Sequence, residues 1–351
     1  MQKVTENASR SFDQRSWRSL VKLRYLPSWL SLGLLCLVGF LPARLRDLIA
    51  LTLSFIAALV PSKPRRLVYD NLRTALPEYS AHECRVLFRR CVAVGLTVLM
   101  AYAQPSILPR RCLEKRWKVH GLEHLEKARA DGRAILFIAP HCLAIDRCGL
   151  YLSFAGLPMC TMVHEQRNPV YDWFLNSQRL RFGGAVYERS AGLRTIIREL
   201  RAGHSCFFLP DQDLGEENSL FVDFLGVPKA TLSSLPKLAR LGNAQVMQLF
   251  STYSFKSACF EVYFSPVYEN YPTDDLHADL KRMNDDISHM IRRFPEQFMW
   301  FLRIFKTRPS PEYPNIYADL HYSVWKKGPH IDYAARRRPF NPGAKDVSED
   351  A

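Results

Sequence analysis

The chain has 351 residues, 48% of them hydrophobic, and a net charge of +14 at pH 7. That hydrophobic share supports a sizeable core and excludes disorder as the default state. The positive balance favours an anionic partner, whether nucleic acid, an anionic membrane face, a phosphorylated lipid or an acidic protein.

Residues 1–25 are basic and polar, with Arg10, Arg15, Arg18, Lys22 and Arg24. Two apolar runs follow, Leu26 to Leu41 and Leu48 to Val60, separated by Arg44, Arg46 and Asp47. Each falls short of the roughly 20 residues that span a bilayer comfortably. One tilted transmembrane helix, a shallow re-entrant hairpin and a buried helical pair all fit. A cleaved signal peptide fits less well, because no small-x-small site ends the first run. Basic flanks at Lys63, Arg65 and Arg66, with Trp17 and Trp29 near the start, suit a segment held on an anionic leaflet.

From Leu67 to Met100 the pattern is helical. Val86, Leu87, Cys91, Val94 and Val98 recur at three- and four-residue steps, and Pro77 marks a break. From Trp117 strands alternate with helices. Strands are expected at Trp117–His120, Ala134–Ala139, Cys160–Val163, Ala185–Tyr187 and Ser205–Leu209. Helices are expected at Leu122–Ala130, from Ile145, at Val170–Leu180 and at Leu193–Arg201. A loop of about twenty residues is expected after Pro210. Then come a helix over Leu232–Leu241, strands at Gln245–Thr252 and Ala258–Phe264, and a long amphipathic helix from Leu276 to Phe294. This alternation implies an α/β fold with a mostly parallel sheet covered by helices on both faces. The last forty residues, rich in Pro, Arg and Tyr, read as a wrapped or loose tail.

Polar clusters fall at the strand ends. His141 follows Pro140 at the carboxyl end of a fully apolar strand, and Asp146 lies five residues on, at the start of a helix. His164 to Pro169, Gly183 to Arg189 and Phe208 to Gly215 fall at the ends of three further strands. In a parallel sheet such ends gather along one edge, where open α/β sheets bind ligands. A neutral imidazole there can take a proton from a hydroxyl. Arg167 and Arg189 suit phosphate, since a guanidinium fork matches its oxygens.

Asp211 and Asp213 lack a third ligand, so no metal is expected. Gly183-Gly184 lacks the spacing of a dinucleotide or phosphate loop, so no nucleotide cofactor is expected. There is no G-x-S-x-G nucleophile elbow. The nine cysteines are scattered without a C-x-x-C pair, which suits reduced thiols facing the cytoplasm. Cys142 is read as a packing residue rather than a nucleophile. Aromatic-interleaved basic patches are missing, so nucleic acid is not the expected partner.

The H-x4-D of His141 to Asp146 resembles the first block of the glycerolipid acyltransferase superfamily. Gly183 to Arg189 resembles its second block, and Leu209-Pro210-Asp211-Gln212 stands where its third has a proline-acid-glycine sequence. Five longer stretches resemble one branch, the late acyltransferases of lipid A biosynthesis: YDNLRTALPE (Tyr69–Glu78), RNP (Arg167–Pro169), PDQDLG (Pro210–Gly215), FLGVPKAT (Phe224–Thr231) and PEQFMWFLRIFKTRP (Pro295–Pro309). The similarity runs from about Leu26 to Tyr317.

The resemblance implies a glycerol-3-phosphate acyltransferase-like sheet carrying an N-terminal apolar helical membrane anchor. It implies transfer of an acyl group from acyl carrier protein to a hydroxyl of a lipid A precursor, without metal, cofactor or covalent intermediate. His141 would be the general base, with Asp146 holding it. Arg189 and Arg167 would bind acceptor phosphate, and Asp211 would orient neighbours in the site. The place would be the bacterial inner membrane, with the catalytic part facing the cytoplasm and its anionic lipid. Boundaries follow: basic tail 1–25, membrane anchor 26–66, helical lead-in 67–112, acyltransferase domain 113–310 and tail 311–351. The family often has a His and a second Arg where this chain has Leu302 and Ile304, which leaves another lipid acceptor, a lysophospholipid or aminolipid, as an alternative. A membrane-attached binding protein without catalysis is a further one.

Overall fold

The computed structural model describes residues 14–157 and 159–321, together with Phe12, Asp332, Tyr333 and Arg336. Arg10 and most of the Pro-, Arg- and Tyr-rich tail lie outside the described residues.

Two apolar helices, α1 (Leu26–Phe40) and α2 (Ala43–Leu59), open the fold. Their faces are reversed relative to a soluble amphipathic helix. On α2 the buried residues are Arg46, Asp47, Ala50 and Ser54, which recur at helical spacing. The Tyr253 hydroxyl donates to Asp47 at 2.7 Å, and the Arg44 guanidinium donates to the carbonyls of Phe255 and Lys256. Leu45, Leu48, Leu51, Phe55, Ile56 and Leu59 point outward, as do Leu26, Leu30, Leu34, Leu37 and Phe40 of α1. An apolar exterior of this extent marks an interaction face.

The helical lead-in is α3 (Lys63–Ala75) and α4 (Ala81–Met100), which starts with a capping box between Ser80 and Glu83. Two candidate spans satisfy the length and composition of a membrane crossing, 23–40 and 81–107. Helix α4 buries Leu87, Phe88, Cys91 and Val94 in the protein core. Short helices α5 (Gln104–Ile107) and α6 (Arg110–Glu114) lead to the sheet.

From there the chain runs β1 (Trp117–His120), α7 (Leu122–Ala130), β2 (Ile135–Ile138), α8 (Ile145–Phe154), β3 (Met159–Val163), α9 (Pro169–Arg179), β4 (Ala185–Glu188), α10 (Leu193–Arg201) and β5 (Ser205–Phe208). Then come β6 (Ser219–Phe224), β7 (Val227–Leu232), α11 (Ser234–Gly242), β8 (Gln245–Ser254), β9 (Cys259–Val267) and α12 (Leu276–Arg293). The seven-stranded sheet has the order β1-β9-β8-β2-β5-β3-β4, and only the β8–β9 pair is antiparallel. The expected fold class holds. Along β2, Ile135 and Phe137 face a core with α7 and α8, while Leu136 and Ile138 face the larger core with α10, α11 and α12. Each such side chain contributes about 2 kcal/mol of burial, and covering on both faces explains why β2 is apolar at every position.

The expected twenty-residue loop after Pro210 instead contains a hairpin. β6 and β7 pair antiparallel, with Phe224 opposite Val227 and a two-residue turn at Leu225 and Gly226. Both turn residues have positive φ, 55° and 76°, the geometry that matches strand twist in tight hairpins. Leucine at the first of them hides the turn from a reading by residue type.

Candidate active site

The carboxyl ends of β2, β5, β3 and β4 are neighbours in the sheet, so their four following loops meet along one edge. Pro140 and His141 follow β2. The loop beyond is strapped by a distant segment. The Met299 amide donates to the His141 carbonyl at 2.8 Å, the Leu143 amide donates to the Gln297 carbonyl at 2.7 Å, and Cys142 bridges to Phe298.

His141 Nδ1 lies 2.8 Å from Asp211 Oδ1, and the His141 amide donates to Asp211 Oδ2 at 3.0 Å. The Asp211 side chain is wholly buried, whereas the His141 ring is 22% exposed. An ionised carboxylate only accepts, so Nδ1 carries the proton and Nε2 keeps its lone pair for the open side. Burial alone would lower the imidazole pKa. The charge and hydrogen bond of Asp211 outweigh burial, Arg189 opposes them, and the net shift is upward. Asp211 moves the other way: burial raises it, but His141 and then Lys229 hold it below the ordinary carboxylate value.

Beneath this pair the fully buried Lys229 of β7 donates to the carbonyls of Ala230 at 3.2 Å and Pro210 at 3.4 Å. Burial pushes it down to about 8, while Asp211 and Asp213 resist. Asp213 accepts from the Thr307 amide at 2.6 Å and its hydroxyl at 2.7 Å. The Asn71 amide group of α3 donates to the carbonyls of Trp300 and Leu302 at 2.7 and 2.8 Å. Residues 297–307 are thus tied to both functional loops and to the lead-in.

The expectation that Asp146 holds His141 needs correction. No hydrogen bond joins them among the described residues. Arg179 grips Asp146 with Nε at 2.8 Å and Nη2 at 3.2 Å, and the Tyr102 hydroxyl donates to it at 2.6 Å. Burial alone would raise the Asp146 carboxyl, but Arg179 holds it below the usual range. Its charge still reaches His141 as a minor upward influence. The reason is competition: a bidentate guanidinium satisfies a carboxylate better than one imidazole nitrogen does. These residues line a small cleft with Pro105, Leu150 and Gln178.

Arg189 follows β4, with Nη1 3.4 Å from Gln212, and its charge acts on His141. Gly184, just before β4, is fixed by close approach, since a Cβ there would stand 2.4 Å from the Met159 carbonyl. Arg167 is exposed in the loop before α9, whose N-terminus Asn168 caps, and has no hydrogen bond or ion pair to His141 or Asp211 among the described residues. Cys142 is fully buried and its thiol is pushed up to about 12 by that burial, as a packing residue should be. All nine cysteines are free. Lys229, Asn71, Gln297, Tyr102 and Arg179 belong to the site's framework and were not singled out by the sequence. Buried polar residues inside apolar stretches were the available signal.

Residues 13–307 match the model of the bacterial lipid A biosynthesis acyltransferases. The chain belongs to this family. A lipid A biosynthesis acyltransferase of Haemophilus influenzae is 34% identical over 297 residues, covering 85% of this chain and 92% of the relative. The lipid A biosynthesis myristoyltransferase of Escherichia coli is 31% identical over 289 residues, covering 82% and 90%. Among solved structures, the 1-acyl-sn-glycerophosphate acyltransferase PlsC of Thermotoga maritima matches with TM-score 0.36 and 11% identity, over 72% of this chain and 98% of that one. As a lipid A biosynthesis acyltransferase the protein is an acyl-transferring enzyme, and its outward-facing apolar helices fit a membrane-associated one.

Proposed function

We propose that the enzyme moves a fatty acyl chain from an acyl carrier protein thioester to a hydroxyl of a Kdo-lipid IVA-like precursor, at the cytoplasmic face of the inner membrane. The observation that carries this is His141, fixed through Nδ1 by Asp211 with its ring partly exposed at the sheet edge. The acceptor hydroxyl gives its proton to Nε2 as its oxygen attacks the thioester carbonyl carbon. The tetrahedral intermediate collapses, the carbon–sulfur bond breaks, and the imidazolium returns the proton to the departing thiolate. An ester and a free carrier thiol result. The thioester is already activated, so no enzyme nucleophile is required.

Arg189 suits an acceptor phosphate or the developing oxyanion beside His141, and Arg167 an acceptor phosphate further out. Asp211 acts through His141 by fixing its tautomer. Asp146 acts through Arg179 and the local field. The charge of +14 suits a carrier protein and an acceptor that are both anionic, as well as the anionic leaflet.

The test is transfer to a tetra-acylated precursor from a set of acyl carrier protein thioesters. His141→Ala should stay folded and lose about 10²–10⁴-fold in rate. Near wild-type transfer by that variant would sink the mechanism. The reading in which another lipid is the acceptor was motivated by Leu302 and Ile304. Ile304 is fully buried, and the partly buried Leu302 packs on the core. Mass spectrometry of lipid A from a deletion strain separates the two: an unchanged set of acyl chains there favours the other acceptor.

A further inference from the structure

We propose that the outward faces of α10 and α11 form the docking surface for an acidic protein, the acyl carrier protein that donates the chain. The inference rests on the reading of the donor as that carrier. Helix α10 begins just after the loop that carries Arg189, and Arg189 reaches Gln212, the neighbour of Asp211. Its nine residues run about 13 Å away from that loop. On its solvent side Arg194, Arg198 and Arg201 recur at four- and three-residue steps, all exposed. Its other side, with Ile196 and Leu200, is buried in the larger core.

Helix α11 lies alongside. Arg201 Nε donates to the Leu241 carbonyl at 2.8 Å, and a Cβ on Gly242 would stand 2.6 Å from Leu200 Cδ1, so the two helices touch at their carboxyl ends. Lys237 is exposed on α11, and neither it nor Arg194 has a hydrogen bond or ion pair among the described residues. Leu193 and Leu241 are exposed amid these cations, at 42% and 39%. Of the acids close by, Glu199 is buried and taken by the Tyr187 hydroxyl, His204 and one edge of Arg198. Asp274 takes Arg240, and Glu188 stands exposed at the end of β4. The surface therefore keeps free positive charge beside two apolar contact points. An acidic helix with apolar residues between its carboxylates is its complement.

Position separates this surface from the outward-facing apolar helices. Helix α1 packs on α9 through the Trp29–Trp173 and Ser31–Tyr171 contacts, and Arg179 ties α9 to α8, which shares a core with Ile135 and Phe137. Helix α10 covers the opposite face of the sheet, with Leu136 and Ile138. A carrier docked on α10 and α11 leaves the exterior of α1 free for lipid. It delivers its acyl arm at the start of α10, beside Arg189 and the His141 loop. Attraction to such a patch speeds encounter and weakens with salt.

Arg194→Glu with Lys237→Glu reverses two exposed charges and touches no group of the catalytic machinery. The full-length variant in detergent should melt as the wild type does. Its KM for acyl carrier protein should rise about tenfold or more, with kcat and the acceptor KM within about twofold. Added salt should raise the wild-type KM more steeply than the variant's. A folded variant with an unchanged KM for the carrier overturns the proposal. So does one that keeps that KM but loses co-sedimentation with anionic vesicles, since the patch is then a leaflet contact. Should the variant fail to fold, Arg194→Gln with Lys237→Gln removes the same charges, and a KM raised less than about twofold overturns the idea. A wild type that takes no acyl group from the carrier, yet takes one from another thioester, refutes the donor reading and this surface together. Transfer from the carrier with an unmoved KM in the variant refutes the surface alone.

Discussion

His141 must be neutral to accept a proton, yet its surroundings favour the imidazolium. Burial depresses its pKa, but the adjacent Asp211 carboxylate more than restores it. The sign follows: a base with a raised pKa is already protonated at pH values where an ordinary histidine is free. Transfer should therefore fall as pH drops, with the acid limb of kcat/KM above the ordinary histidine value of about 6.5. Asp211→Asn removes the negative charge, and its acid limb should move to lower pH while kcat drops about 10²–10⁴-fold. A pH–rate series on both proteins checks this, and an unmoved limb in Asp211→Asn would exclude Asp211 as the partner. The sequence made His141 legible because the residue after an apolar strand sits at a sheet edge. It did not reveal that Asp211, seventy residues away, would displace Asp146 as the partner. Two carboxylates flank the histidine, and which one bonds it depends on where Arg179 and Tyr102 stand, which no local pattern encodes.

At the level of elements, the hairpin β6–β7 and the segment 297–307 do more for the site than their loop-like sequences suggest. The hairpin was hidden by Leu225 in a turn position that usually shows Asn or Gly, and by Pro228 and Lys229 inside a strand. The helices and parallel strands were legible because 3.6- and 2-residue periods report which face is buried. The 297–307 strap has neither period, since its backbone is held by an isolated bridge to the His141 loop and by side chains. Asn71 is the plainest example, giving two hydrogen bonds to the Trp300 and Leu302 carbonyls and accepting one from the Tyr317 hydroxyl. Asn71→Ala leaves the two carbonyls unpaired and should cost about 2–6 kcal/mol, each such lost partner adding about 1–3. Denaturant unfolding in detergent measures it, and a change below about 0.5 kcal/mol would show that the strap is held otherwise.

For the whole molecule, polar contacts of α2 face the protein and apolar side chains of α1 and α2 face outward. Folding of the α/β unit therefore does not consume these apolar surfaces. Leu34→Glu with Leu48→Glu places two charges on that exterior without touching the core. Such a variant should keep its melting temperature in detergent yet lose most co-sedimentation with anionic vesicles, because charges are costly in hydrocarbon. Undiminished vesicle binding would point to another attachment face. Composition foretold apolar N-terminal helices. Their relation to the domain was not legible, because Asp47 reads as part of an interruption between apolar runs when it is in fact a contact with Tyr253 of the sheet.

The strap over the His141 loop also orders events in time. A ribosome extends the chain at roughly 5–20 residues per second, so on the order of ten seconds separate the emergence of His141 from that of Thr307. The apolar helices leave the ribosome before the sheet does. The nascent chain can thus settle on a bilayer well before the amides of Leu143 and Met299 find their partners and the catalytic loop is fixed. The catalytic loop waits for the late part of the chain, which is made after the apolar helices.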